Sequence, residues 1–157
     1  MSIAADQTRL RRITNDLLPA GSLDQTEAGA MLLLVRAAAG ADGIDAPPEH
    51  AIVQSIAQHI CALSGLRVGD VLPLSPVPDD GPRDAWLRRL GAQLSSRATR
   101  ELAYAFIFLT LVADLAVTPE ERAALDAFQR ALDIDDRRAT DLVVILTETV
   151  ASPAPPP

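Results

Sequence analysis

The chain contains no lysine, and all 14 of its basic residues are arginines. A Schiff-base lysine, a catalytic lysine base and the lysine of a phosphate-binding loop are therefore excluded. The only cysteine, Cys61, excludes an intrachain disulfide. The longest apolar run, residues 102–113, is too short to cross a bilayer, and no apolar segment near the N-terminus resembles a signal peptide. We therefore expect a cytoplasmic protein that is not inserted in a membrane.

Positive charge is outweighed by negative charge, because 21 acidic residues against 14 arginines give a formal net charge of −7. Phosphate neutralisation supplies most of the affinity of nucleic-acid binders, so this charge excludes a nucleic-acid partner. It favours cations or another protein with a basic surface, whose identity the sequence does not give. Two histidines, His50 and His59, lie nine residues apart and so on opposite faces of a helix, which excludes a shared zinc ion.

Aromatic residues make up only 3% of the 157 residues, whereas apolar residues make up 48%, with alanine and leucine dominant. The apolar residues recur at helical spacing, and glycine and proline cluster between the periodic segments. This pattern predicts an all-α fold: a single-domain bundle of about seven helices over residues 1–150, followed by a disordered, proline-rich tail at 151–157. The run at 102–113 is apolar on every side, which is typical of a helix in the middle of a bundle.

Local signals place several helix ends. Ser22 with Gln25 three residues later resembles a capping box, which predicts a helix start. Gly65 is expected to end the third helix, because glycine adopts the left-handed conformation of a C-terminal cap. Prolines at positions 47 and 119 are acceptable only in the first turn of a helix, where the backbone N–H has no intrahelical partner.

Two segments of similar sequence occur 72 residues apart. The first is A-D-G-I-D-A-P-P-E at 41–49, and the second is A-D-L-A-V-T-P-E-E at 113–121. Each follows one apolar helical run and opens the next, so the chain is predicted to contain two pseudo-repeated helix-loop-helix units. Apolar positions of the following helices also correspond, in the pairs Val53/Leu125, Ile56/Phe128 and Ile60/Leu132.

An Ala-Asp-Gly sequence followed by a glutamate seven positions after the aspartate resembles the TerB tellurite-resistance family. Ala41, Asp42, Gly43 and Glu49 carry this likeness in the first unit, and residues 113, 114 and 117–121 carry it in the second. The N-terminal domain of the DjlA co-chaperone is related to the same family. The resemblance covers about residues 21–150 and implies an all-helical bacterial stress-response module with two such units, whose acidic residues bind metal.

The acidic residues of both segments form the candidate metal site: Asp42, Asp45, Glu49, Asp114, Glu120 and Glu121. Carboxylate oxygens are the ligands that Ca²⁺, Mg²⁺ and Mn²⁺ prefer, so one of these divalent cations is the expected cofactor. A structural interpretation stays open, since a glutamate at the third helical position bonds back to the N-cap backbone and an aspartate tightens a turn. The positive end of the helix dipole also opposes a cation, so binding should be weak.

No catalytic constellation is visible, and we expect a non-enzymatic module, associated with tellurite resistance if the resemblance holds. The alternative is an acidic protein–protein interaction or scaffold domain with no bound ligand. A third hypothesis is a metal-dependent hydrolase, which would require the paired carboxylates to face a pocket.

Overall fold

Seven α-helices and no strands make up the described part of this computed structural model, residues 7–18, 23–39, 47–65, 83–94, 96–111 and 119–151. The helices are α1 (Gln7–Leu17), α2 (Gln25–Ala39), α3 (Pro47–Ser64), α4 (Arg83–Ala92), α5 (Arg97–Leu111), α6 (Pro119–Ala131) and α7 (Asp136–Ala151). The predicted all-α bundle of about seven helices is therefore confirmed.

Helix α5 occupies the centre of the bundle. Every residue from Glu101 to Leu111 is buried, and the helix contacts α1, α2, α3, α6 and α7. A helix can be covered on all sides only if its sequence is apolar on all sides. The apolar run that begins at Leu102 meets this condition, and its predicted central position is confirmed.

The helix ends are fixed by local hydrogen bonds. The cap of α2 is Asp24, whose Oδ1 accepts a bond of 2.7 Å from the backbone N–H of Glu27; the predicted cap, Ser22, lies outside the described residues. Asp24 and Glu27 have the three-residue spacing of the predicted capping box, but this pair lies two positions further along the chain than Ser22 and Gln25. Gly65 ends α3 as predicted, with φ of 77° and its N–H donating to the carbonyl of Cys61.

A close approach of two backbones joins α4 to α6. A Cβ atom built on Gly91 of α4 would overlap the carbonyl oxygen of Ala131, the last residue of α6. Only a residue without a side chain fits there, so this glycine permits the packing of α4 against α6. On its other side α4 contacts α2, which connects it to the centre of the bundle.

The two predicted helix-loop-helix units show a common register. Helices α2 and α5 have 15 residues each and begin 72 residues apart, and α3 and α6 begin 72 residues apart at prolines. Both helix pairs, α2 with α3 and α5 with α6, are in contact. Val53 and Leu125 are both half-buried, and the pairs Ile56/Phe128 and Ile60/Leu132 are fully buried. These facts agree with an internal duplication, which itself stays a prediction.

Helix α7 closes the bundle against α5 and α1. It ends at Ala151, one residue beyond the predicted domain boundary, and the rest of the predicted tail, residues 152–157, lies outside the described residues. Within the part of the chain that the structure describes, no helix is long and apolar enough to cross a membrane.

Candidate functional site

The six residues of the predicted metal site lie at or beside the two connections between packed helices. Asp42, Asp45 and Asp114 are outside the described residues. Glu49 is the third residue of α3, and Glu120 and Glu121 are the second and third residues of α6. The prediction that both glutamates of the repeat lie in the first turn of a helix is therefore confirmed for Glu49 and Glu121.

Metal binding at these six residues stays a prediction. Among the described side chains no group of three or more His, Cys, Asp or Glu could hold a metal ion, and the side chains of the six candidates are not among those described. The hydrolase hypothesis uses the same carboxylates, so it also stays a hypothesis.

A different cluster of charges lies at the start of the central helix. The Glu101 side chain, only 8% exposed, accepts two bonds from Arg138 of α7: Nη2 donates to Oε1 at 2.8 Å and Nε to Oε2 at 3.0 Å. Oε2 also accepts a bond of 3.0 Å from Nε of Arg97, one turn earlier in α5. Both carboxylate oxygens are therefore bonded to guanidinium groups, and the pair joins the beginning of α5 to the first turn of α7.

The ionised form of Glu101 is strongly favoured by this arrangement. The hydrogen bonds from Arg138 lower the pKa of the Glu101 carboxyl below its usual 4.5, and Arg97 adds to this effect, although burial acts in the opposite direction. The guanidinium group of Arg138 donates one hydrogen bond to each oxygen of the Glu101 carboxylate. Such bidentate pairs are among the strongest charge-assisted hydrogen bonds in proteins. At neutral pH the cluster is a fixed network of one negative and two positive groups.

An open groove of about 260 Å³ borders this network. Arg97, Arg100 and Glu101 line it from the first turns of α5, and Asp133 and Asp135 line it from the connection between α6 and α7. The remaining lining residues are Leu132, Ile134 and Arg138. The groove therefore combines three guanidinium groups, three carboxylates and two apolar side chains.

A second buried polar pair joins α1 to α3. The hydroxyl of Thr14 and Nε2 of His59 are 2.6 Å apart, and both residues are at most 5% exposed. The Thr14 hydroxyl also donates a bond of 2.8 Å to the carbonyl of Leu10. Because a hydroxyl has a single proton, Thr14 must accept from His59, which assigns the His59 proton to Nε2. The imidazole also contacts Phe106 of α5 edge-on, with ring centroids 6.0 Å apart.

The surroundings of His59 favour its neutral form. Burial lowers the pKa of the imidazole below its usual 6.5, and the positive charge of Arg11 acts in the same direction. A neutral, hydrogen-bonded histidine that is buried in edge-on contact with an aromatic ring is a packing element.

Sequence reasoning did not identify the Glu101 network. One signal was present, since Arg97 and Glu101 have the four-residue spacing of a helical ion pair. Glu101 also directly precedes the long apolar run, where a carboxylate must be either exposed or paired. The third member, Arg138, is 37 residues further along the chain, and no local pattern indicates it.

Comparison of the chain with known proteins gives no match: no family model, no curated protein and no solved structure matches it.

Proposed function

We propose that the chain is a non-enzymatic, TerB-like module whose two acidic inter-helix segments bind a divalent cation weakly. The proposed ligands come from Asp42, Asp45 and Glu49 in one segment and from Asp114, Glu120 and Glu121 in the other. The association with a bacterial stress response, including tellurite resistance, comes only from the resemblance to that family.

The observation that supports this proposal is the common register of the two units. Seven residues, 40–46, connect α2 to α3, and seven residues, 112–118, connect α5 to α6. In both units the two connected helices are in contact. Asp42 and Asp114 therefore occupy the same place in two connections of equal length, seven residues before a glutamate in the next helix.

The chemistry of these positions fits a hard cation held with low affinity. Carboxylate oxygens, with backbone carbonyls and water, form the coordination shells of Ca²⁺, Mg²⁺ and Mn²⁺. The positive end of a helix dipole lies beside Glu49 and Glu121, which reduces the affinity. Two or three carboxylates for each segment, without a cage of protein ligands, correspond to dissociation constants of about 0.1–1 mM.

Thermal unfolding with added metal tests the proposal. For a dissociation constant of about 1 mM, 10 mM Ca²⁺ or Mn²⁺ should stabilise the protein by about 1.4 kcal/mol. For a domain of this size, that corresponds to a rise in Tm of roughly 3–6 °C. The same measurement with about 30 mM NaCl, which has the ionic strength of 10 mM of the divalent chloride, controls for ionic strength.

Matched variants locate the effect. Asp42→Asn and Asp114→Asn together should abolish the metal-dependent rise, because each removes one formal charge and keeps the side-chain size. Asp126→Asn, an exposed aspartate further along α6, should keep the rise. If neither cation raises Tm, or if Asp126→Asn removes the rise equally, the metal proposal is wrong.

A docking domain without a ligand is the second candidate, and one observation favours it. Val144 and Ile145, on the final helix, are 51% and 37% exposed and are the exposed large hydrophobic residues of the described chain. Large contiguous apolar patches mark surfaces that other proteins cover, and these two adjacent residues are the place in the described chain where such a patch would lie. Val144→Ser with Ile145→Ser should leave any metal-dependent rise in Tm unchanged. The double variant should raise solubility if this surface causes self-association of the isolated protein.

A further inference from the structure

A buried histidine lies where α1 covers α3 and α5. Helix α1 buries Leu10, Ile13 and Leu17 in the core, and Thr14 lies on the same buried side. The Thr14 hydroxyl donates its single proton to the carbonyl of Leu10 and accepts from Nε2 of His59. The contact that joins α1 to α3 therefore requires a proton on Nε2 of the imidazole.

The second ring nitrogen of His59, Nδ1, has no hydrogen-bond partner among the described residues. Because Nε2 already carries a proton, an additional proton can be taken up only at Nδ1. It would leave an N–H without an acceptor in a residue that is 5% exposed, and it would add a positive charge there. Protonation of His59 therefore opposes the packing of α1 over this residue.

The charged groups around the imidazole do not compensate a positive charge on it. Burial lowers the pKa of His59 below its usual 6.5, and the positive charge of Arg11 on α1 adds to this effect. The carboxylates of Asp16 on α1 and of Glu101 on α5 neither bond to the imidazole nor pair with it, and Glu101 is held by its own arginines. The same lack of contact with the imidazole holds for the other described ionisable groups of α1, α2, α3 and α5, which are Arg12, Glu27, Arg36, Cys61, Arg100 and Tyr104.

Of the described helices that cover His59, α1 is the one that can separate from it while the others stay packed. Helix α5 is enclosed by five other helices, and α3 is bonded to the start of α2, where the N–H of Leu23 donates to the carbonyl of Leu63 at 3.3 Å. Single elements of a protein open at free energies below that of global unfolding. We propose that the Thr14–His59 contact is an acid-sensitive switch, in which a proton taken up at Nδ1 separates α1 from the bundle and exposes the apolar side of α1.

Hydrogen–deuterium exchange of the full chain at about pH 7.5 and about pH 5 tests this switch. Each rate is divided by the rate of the unfolded chain at the same pH, and no divalent cation is present. In the open form the imidazole regains its usual pKa of 6.5, so the opening of α1 should increase about five- to thirtyfold at the lower pH. The upper value applies if the closed form takes up no proton. Helix α4, which packs on α2 and α6, should change by less than about twofold.

Matched variants assign the effect to this contact. His59→Gln keeps an Nε2 donor for Thr14 and removes the titrating group, so the opening of α1 should be the same at both pH values. His50→Gln removes the other histidine of the chain and should respond to acid as the parent protein does. Thr14→Ser keeps the hydroxyl and should also respond like the parent. Thr14→Val leaves the imidazole N–H without an acceptor and should increase the opening of α1 at least about fivefold at the higher pH.

The proposal is overturned if the opening of α1 does not increase at the lower pH, or if α1 and α4 respond to acid alike, which would indicate global opening. It is also overturned if His59→Gln keeps the response, if His50→Gln removes it, or if Thr14→Val opens α1 no more than Thr14→Ser does. The comparison of α1 with α4 uses the unsubstituted protein, so it decides the question even if a variant does not fold.

Discussion

Gly91→Ala should destabilise the protein, although the same change in most helices is stabilising. Alanine exceeds glycine in helix propensity by about 1 kcal/mol. The added Cβ of residue 91, however, would overlap the carbonyl oxygen of Ala131 and lie 3.1 Å from its carbonyl carbon. Both atoms belong to the backbone of α6, so the overlap cannot be relieved by a side-chain rotation, and α4 and α6 must move apart.

The expected loss follows from these two opposing effects. Overpacking usually costs about 1–3 kcal/mol, and a backbone obstacle places Gly91 near the upper end of that range. Subtracting the propensity gain of about 1 kcal/mol leaves a net loss of roughly 1–2 kcal/mol. In a domain of this size the Tm should fall by about 2–8 °C. Urea unfolding followed by circular dichroism at 222 nm gives the free energy directly.

Gly29→Ala is the matched control within α2. A Cβ built on Gly29 has no neighbouring atom within 4 Å, so only the propensity term applies. This variant should gain up to about 1 kcal/mol and a few degrees in Tm. The reasoning is refuted if Gly91→Ala is as stable as the parent protein, or if both substitutions change stability in the same direction.

Two further predictions concern the buried polar groups. Lowering the pH below 6.5 should reduce the free energy of unfolding by at most about 1.4 kcal/mol per pH unit, because the unfolded His59 takes up a proton that burial denies to the folded one. The contribution of this residue to stability is fully present above pH 6.5. In urea titrations between pH 6.5 and 5, His59→Gln should reduce the change in unfolding free energy with pH. An unchanged pH dependence would contradict this. Arg138→Ala should cost about 2–4 kcal/mol, because it leaves the carboxylate of Glu101 buried with a single arginine partner. Arg97→Ala, at a side chain 71% exposed, should cost less than about 1 kcal/mol, and equal losses at the two arginines would argue against this account.

Much of the fold could be predicted because it depends on local patterns. The apolar residues from Leu102 onwards cover every side of a helix, which places that helix in the centre. Prolines 47 and 119 each open a helix, and Gly65 ends one. Each of these signals acts within one or two turns of the chain, so no knowledge of distant contacts is needed.

The buried polar contacts between distant helices could not be predicted in this way. Arg138 bonds to a carboxylate 37 residues earlier in the chain, and Thr14 meets His59 45 residues later. Such pairs depend on the relative placement of whole helices, and a single sequence contains no spacing rule for them. The start of α2 shows a second difficulty: Ser22 and Asp24 are both good capping residues, and the structure uses Asp24.

The central helix separates the groove from the acidic segment that contains Asp114. From Leu102 to Leu111 α5 is enclosed by its neighbours, so charged groups can occur only at its two ends. The groove adjoins its first turns, and the acidic segment with Asp114 follows its last residue. A helix of 15 residues is roughly 22 Å long, which is well beyond a Debye length of about 8 Å. Substitutions at Arg97 and Arg100 should therefore leave any metal-dependent rise in Tm unchanged, and a loss of that rise would indicate that the two ends are coupled through the helix.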